Sequence, residues 1–169
     1  MSGSIGTAAG SWFAVGREQF SGPERGSPDD RAHYMCWLHV SVLELGAYET
    51  APSCARLHTR NVLAEWQIPR DLIADAEMIC SELATNALRA TWALPEQVPI
   101  ALRLLANAER LVIEVRDAHP GQPARQSPVG SAESGRGLQI VGSLSNRWGT
   151  RRLNADLKAV WAELLIARP

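Results

Sequence analysis

"SELATNALRAT", residues 81–91, sets three polar side chains into a segment that otherwise has the spacing of a buried helix. Leu72, Ala76, Ile79, Leu83 and Ala87 recur at intervals of three and four, the period of one helical face. Glu82 and Asn86 fall one turn apart along the border of that stripe, and Arg89 continues the row. A border position is half buried, so polar groups there can line a cleft. A solvated rim accounts equally well for a lone E-x-x-x-N, and the flanking sequence has to decide.

The helix follows Pro69 and closes before Pro95. Ahead of it, "APSCARLHTRNVLAEWQ" (51–67) opens on a Pro-Ser start signal, and Ala55, Leu57, Val62, Leu63 and Trp66 supply its apolar positions. "CWLHVSVLEL" (36–45) reads as a strand. "QVPIALRLLANAERLVIEVRDA" (97–118) reads as two strands turned at Asn107 to Arg110, the second alternating Val112, Glu114 and Arg116 against Ile113 and Val115. "HPGQPARQSPVGSAESGRG" (119–137) is dense in Gly, Pro and Ser and is a loop. "RGLQIVGSLSNRW" (136–148) regains a helical pattern through Leu138, Ile140, Val141 and Leu144, and "WGTRRLNADLKAVWAELLI" (148–166) forms a hairpin around Asn154 to Asp156. This order predicts an α+β fold, a two-layer sandwich of helices on one face of a mostly antiparallel mixed sheet. Residues 1–33, rich in Gly, Ser, Pro and charge, are expected to be a flexible N-terminal tail before a domain over 34–169. Trp12, Phe13 and Phe20 are the tail's apolar exceptions.

A net charge of −1 gives no overall field to attract nucleic acid. Three cysteines, Cys36, Cys54 and Cys80, form an odd set without C-x-x-C spacing, which fits a reducing compartment. With no signal-like start and no apolar run near the ~20 residues that span a bilayer, a soluble cytoplasmic protein is expected, free of membrane. His33, Cys36, His39, Cys54 and His58 lack the compact spacing of a zinc site and read as surface histidines and a buried cysteine. Arg147, Arg151 and Arg152 read as a solvated basic face.

Two further motifs bear on the cleft. Asp117 ends a strand in "VRDAHPG", where it can start a turn or accept a hydrogen bond from an exocyclic amine such as that of adenine. In "SGRGL", Gly135 and Gly137 precede a helix, where the backbone can approach a ligand and the free N–H groups favour phosphate. Alone, such a G-x-G also marks a plain loop entering a helix.

The order and spacing of the three elements resemble the ATP-binding domain shared by gyrase, Hsp90, histidine kinases and MutL, of Bergerat-type fold. "ELATNALRA" is similar to its asparagine box, "DAHPG" to its first glycine box and "GRGLQIV" to its second. Residues 36 to 167 are most similar to the short branch of anti-sigma factor serine kinases. The resemblance implies that Asn86 holds Mg²⁺ bridging the triphosphate of ATP and that Glu82 is the catalytic base. It implies Arg89 near phosphate, Asp117 on the adenine amine with Gly121 shaping that wall, and Gly135, Arg136, Gly137 and Leu138 bordering the phosphates. It further implies a protein serine kinase that holds a sigma factor and phosphorylates an anti-anti-sigma (STAS-type) partner, with a homodimer as one assembly. Two alternatives stay open, an ATP-responsive binding module that transfers nothing and a scaffold without nucleotide. His119 stands where the fuller first box, D-x-G-x-G, has its first glycine, and the lid from Gln122 to Ser134 carries Arg125 as its only internal basic residue. No phosphoacceptor-histidine helix precedes the domain, so histidine autokinase activity is not expected.

Overall fold

Alternation and helical period resolve into five strands and three helices in a computed structural model, which describes residues 37–95, 98–118, 136–153 and 157–166. The expected tail, His119, Gly121, Arg125, Gly135 and the turn at Asn154 to Asp156 lie outside the described residues. In chain order the elements are β1 (His39–Leu45), α1 (Ala51–Glu65), α2 (Arg70–Trp92), β2 (Ile100–Ala106), β3 (Arg110–Asp117), α3 (Gly137–Leu144), β4 (Arg147–Arg152) and β5 (Lys158–Leu165). Pro69 is the N-cap of α2 and Pro52 lies in the first turn of α1, where a missing N–H costs no helical hydrogen bond.

The sheet runs β1-β2-β3-β5-β4, and all of these pairings are antiparallel. The β2–β3 turn forms where the sequence places it. The Asn107 side-chain oxygen accepts the backbone N–H groups of Glu109 and Arg110, standing in for a backbone turn. Leu102, Leu104, Ile113, Val115, Val160 and Ala162 form the sheet's share of the core, against which the helices lay Leu63, Ile79, Leu83 and Val141. Leu57 departs from the expected stripe of α1: it is 56% exposed, and Ala51, Ala55, Thr59 and Leu63 form the buried face instead. Gly142 lets α3 lie close to β4, since a Cβ there would stand 3.1 Å from the Trp148 indole nitrogen.

The opposite face of the sheet is exposed at Val40 and Val42 of β1 but buried at its centre. Glu114, 2% exposed, receives Arg103 at 3.0 Å, Arg116 at 2.7 Å and Arg151 at 2.6 Å. On the neighbouring strand β5, Glu163 accepts a forked pair of hydrogen bonds from Arg147. The basic cluster read from the sequence is therefore largely consumed in ion pairs across β3, β4 and β5. Burial alone would raise the Glu114 carboxyl, but the three guanidinium groups together hold it below the usual carboxylate range.

The histidines of β1 and α1 serve packing. His39 stacks on Trp66 with ring centroids 5.2 Å apart, and His58 hydrogen-bonds the Ser41 hydroxyl at 2.9 Å. Among the described residues, no helix is long and apolar enough to cross a membrane.

Candidate functional site

Helix α2 packs over β3 and against α3. Its buried residues include Ile79, Cys80, Leu83, Ala84, Ala87 and Leu88, and these orient the rest of the wheel. Glu82 and Asn86 emerge half-buried at the side of that stripe, as their spacing requires. They project toward the start of α3. A Cβ built on Gly137, the first residue of α3, would stand 2.6 Å from Glu82 Oε2 and 3.5 Å from Asn86 Nδ2. The carboxylate, the carboxamide and the α3 backbone therefore meet at one point, although 51 positions separate residues 86 and 137 (137 − 86). Only a glycine leaves the carboxylate where it is, because any side chain would displace it.

This convergence combines three chemical elements. Glu82 offers a carboxylate able to take a proton, and Asn86 offers a neutral amide oxygen. The first turn of α3 presents backbone N–H groups and the positive end of its dipole, which favour an anion. Oxygen donors of this kind suit Mg²⁺, which keeps several waters and needs few protein ligands. The residues present thus fit a magnesium-bound phosphate group.

Other expected site residues take different places. Arg89 is exposed in the last turn of α2, where its charge complements the C-terminal end of the helix dipole. Arg136 is the exposed N-cap of α3, and its side chain makes no capping hydrogen bond. Leu138 is partly buried against the core and anchors the first turn of α3. Gly121 and Gly135 fall outside the described residues.

Asp117 is the last residue of β3 and is 2% exposed. It shares the strand face of Leu111, Ile113 and Val115, so it points toward the helical layer. Its register partner on β5 is Lys158, whose Nζ lies 3.3 Å from Asp117 Oδ1. Sequence reasoning passed over Lys158. The available signal was a lysine opening a mostly apolar strand, "KAVWAELL".

Residues 47–163 match the family profile described as a histidine kinase-like ATPase domain. Among curated proteins, none matches the chain significantly. Solved structures that share the fold include chains from Mycobacterium tuberculosis and Pseudomonas aeruginosa. The RsbU and RsbW domains of Rv1364c from Mycobacterium tuberculosis align with a TM-score of 0.59 and 22% identity, covering 78% of this chain and 33% of theirs. This chain thus spans about a third of that one. The SiaB–SiaC complex from Pseudomonas aeruginosa aligns with a TM-score of 0.56 and 12% identity, covering 80% of this chain and 95% of that one.

Proposed function

The chain belongs to the histidine kinase-like ATPase domain family, and on that premise we propose that it binds Mg-ATP and passes the γ-phosphoryl group to a serine of an anti-anti-sigma (STAS-type) protein. Holding the partner, or a sigma factor, would then depend on the nucleotide and on the phosphoserine. The observation that carries this reading is the approach of Glu82 and Asn86 to the backbone at Gly137. A base, an oxygen donor and helix-end amides gathered at one point are what phosphoryl transfer asks of a protein, since it depends on positioning and charge neutralisation. The structural likeness to chains that include an RsbW domain and a SiaB–SiaC complex supports a regulatory, partner-bound role.

In this scheme Asn86 and the first turn of α3 hold the phosphates, with Arg136 at their border. Asn86 would hold Mg²⁺, which when bound would supply charge neutralisation for the transfer. The serine hydroxyl oxygen forms a bond to the γ-phosphorus while the bond to the β–γ bridging oxygen breaks. Glu82 orients the hydroxyl and accepts its proton, and ADP leaves. Asp117 reads the adenine amine from the floor of the cleft.

Mg-ATP titration of wild type and Asn86→Ala by calorimetry tests the nucleotide step. Wild type should bind, and the variant should lose at least about tenfold in affinity, the size of one charge-assisted contact. The Asn86 side chain is half-buried at the helix border, so the variant should keep its thermal midpoint. Equal affinity in both proteins would remove Asn86 from the site, and no binding by wild type would remove the nucleotide.

A further inference from the structure

We propose that Met78, with Leu57 beside it on α1, is the docking point for the protein whose serine reaches Glu82; this rests on the phosphoryl-transfer reading above. Met78, Glu82 and Asn86 follow one another at intervals of four along α2, so they stand in one row on its surface. Glu82 and Asn86 are half-buried, whereas Met78 is 48% exposed. Leu57 is exposed on the neighbouring helix. The two helices run antiparallel: Arg56 donates to the Ser81 hydroxyl at 2.8 Å, and Arg60 donates to Glu77 at 2.7 Å. Positions 57 and 78 fall between those contacts on their respective helices, which sets Leu57 and Met78 at one level of the pair. Neither side chain belongs to the core.

What covers them follows from the chemistry of the transfer. The attacking and leaving oxygens stand roughly in line, on opposite sides of the phosphorus. The nucleotide lies toward Asn86 and the first turn of α3 in the scheme above. The acceptor hydroxyl therefore reaches Glu82 from the other end of the row, where the next residue is Met78. Four residues of helix separate the two positions by about 6 Å along the axis. A serine carried on a folded protein brings its neighbouring side chains within that distance, and they meet Met78 and Leu57. An apolar side chain next to the acceptor serine would leave water together with both. Methionine suits such a contact, because its flexible, polarizable side chain adapts to the surface laid on it.

Phosphoryl transfer by the full chain, measured against rising concentrations of the STAS-type protein that wild type phosphorylates, tests this. Met78→Glu should raise KM for that protein by about tenfold or more, the size of one interface anchor replaced by an unpaired charge. Its kcat and its calorimetric affinity for Mg-ATP should stay within about twofold. Leu57→Glu should act in the same direction, and Met78→Leu should keep the wild-type KM. Leu165→Glu, at an exposed apolar position on the opposite face of the sheet, should also keep it. Both helix positions are exposed, so the variants should retain their thermal midpoints. A wild-type KM in Met78→Glu overturns the proposal, as does a KM raised equally by Leu165→Glu. A fall in kcat at unchanged KM overturns it too, because that would assign Met78 to the chemistry and not to docking. A wild type that binds Mg-ATP and phosphorylates no serine would instead overturn the transfer reading on which the proposal stands.

Discussion

Glu82→Gln should lower phosphoryl transfer to a serine-bearing partner by about a hundredfold or more while leaving Mg-ATP affinity within roughly threefold, the pattern expected when a general base is lost but its volume is kept. The carboxylate lies at the side-chain position of Gly137, 2.6 Å from where a Cβ would be, so it can bear on a hydroxyl brought to the start of α3. A glutamine has the same reach and can still position that hydroxyl, but it cannot take the proton. Loss should therefore appear in turnover and not in nucleotide binding. Radiolabelled ATP with a cognate anti-anti-sigma protein gives the rate, and calorimetry gives the affinity. Transfer at the wild-type rate would assign Glu82 to the helix rim. A wild-type protein that binds ATP and transfers nothing would favour the module that uses nucleotide only to set its shape.

The largest effect on stability should come from the other side of the sheet. Glu114→Gln removes the one carboxylate that Arg103, Arg116 and Arg151 share. Arg103 and Glu114 are 4% and 3% exposed as side chains, so solvent cannot take over the neutralisation. Removing one partner of such a buried pair costs about 3–5 kcal/mol. For a domain of this size the thermal midpoint should fall by about 10 °C or more. The acid response has a fixed sign. The Glu114 carboxyl is held below its ordinary range in the fold, so its contribution is complete above the unfolded value, about 4.3. That contribution disappears as pH falls through the lower folded value. Thermal melts from pH 7 to pH 3 should accordingly show a steeper acid loss for wild type than for Glu114→Gln. Parallel profiles and an unchanged midpoint would mean that the cluster contributes nothing net.

The arrangement around α2 was legible in the sequence because it depends on local period. Once Ile79, Leu83 and Ala87 are assigned to the core, Glu82 and Asn86 can emerge only at its border, and a glycine opening the next helix pattern suggests a close approach. The turn at Asn107 was equally legible, since its hydrogen bonds reach only two and three residues ahead. What stayed hidden depends on pairings distant in sequence. Arg151 meets Glu114 across 37 positions, and Lys158 meets Asp117 only because β5 lies beside β3 as well as β4. A terminal hairpin can be read from its two strands, but the strand it docks against cannot. For that reason the arginines looked solvated, and the partner of Asp117 went unnoticed. Leu57 misled for a smaller reason: at a spacing of two from Ala55 it belongs to the other side of α1.

The place of β5 also bears on how the protein is made. It follows every other described strand in the chain, yet it sits inside the sheet, between β3 and β4. A ribosome therefore releases β1 to β4 with β3 and β4 still lacking the neighbour that joins them. β1, β2 and β3 can pair in order as they emerge, but β4 has no native neighbour until Lys158–Leu165 leaves the exit tunnel. Closure of the sheet onto β4 should therefore be a late step. A chain halted after Leu153 should remain protease-sensitive and melt without a cooperative transition, while one extended through Ile166 should resist digestion. A stable, cooperative product from the shorter chain would show that the sheet assembles without its late interior strand.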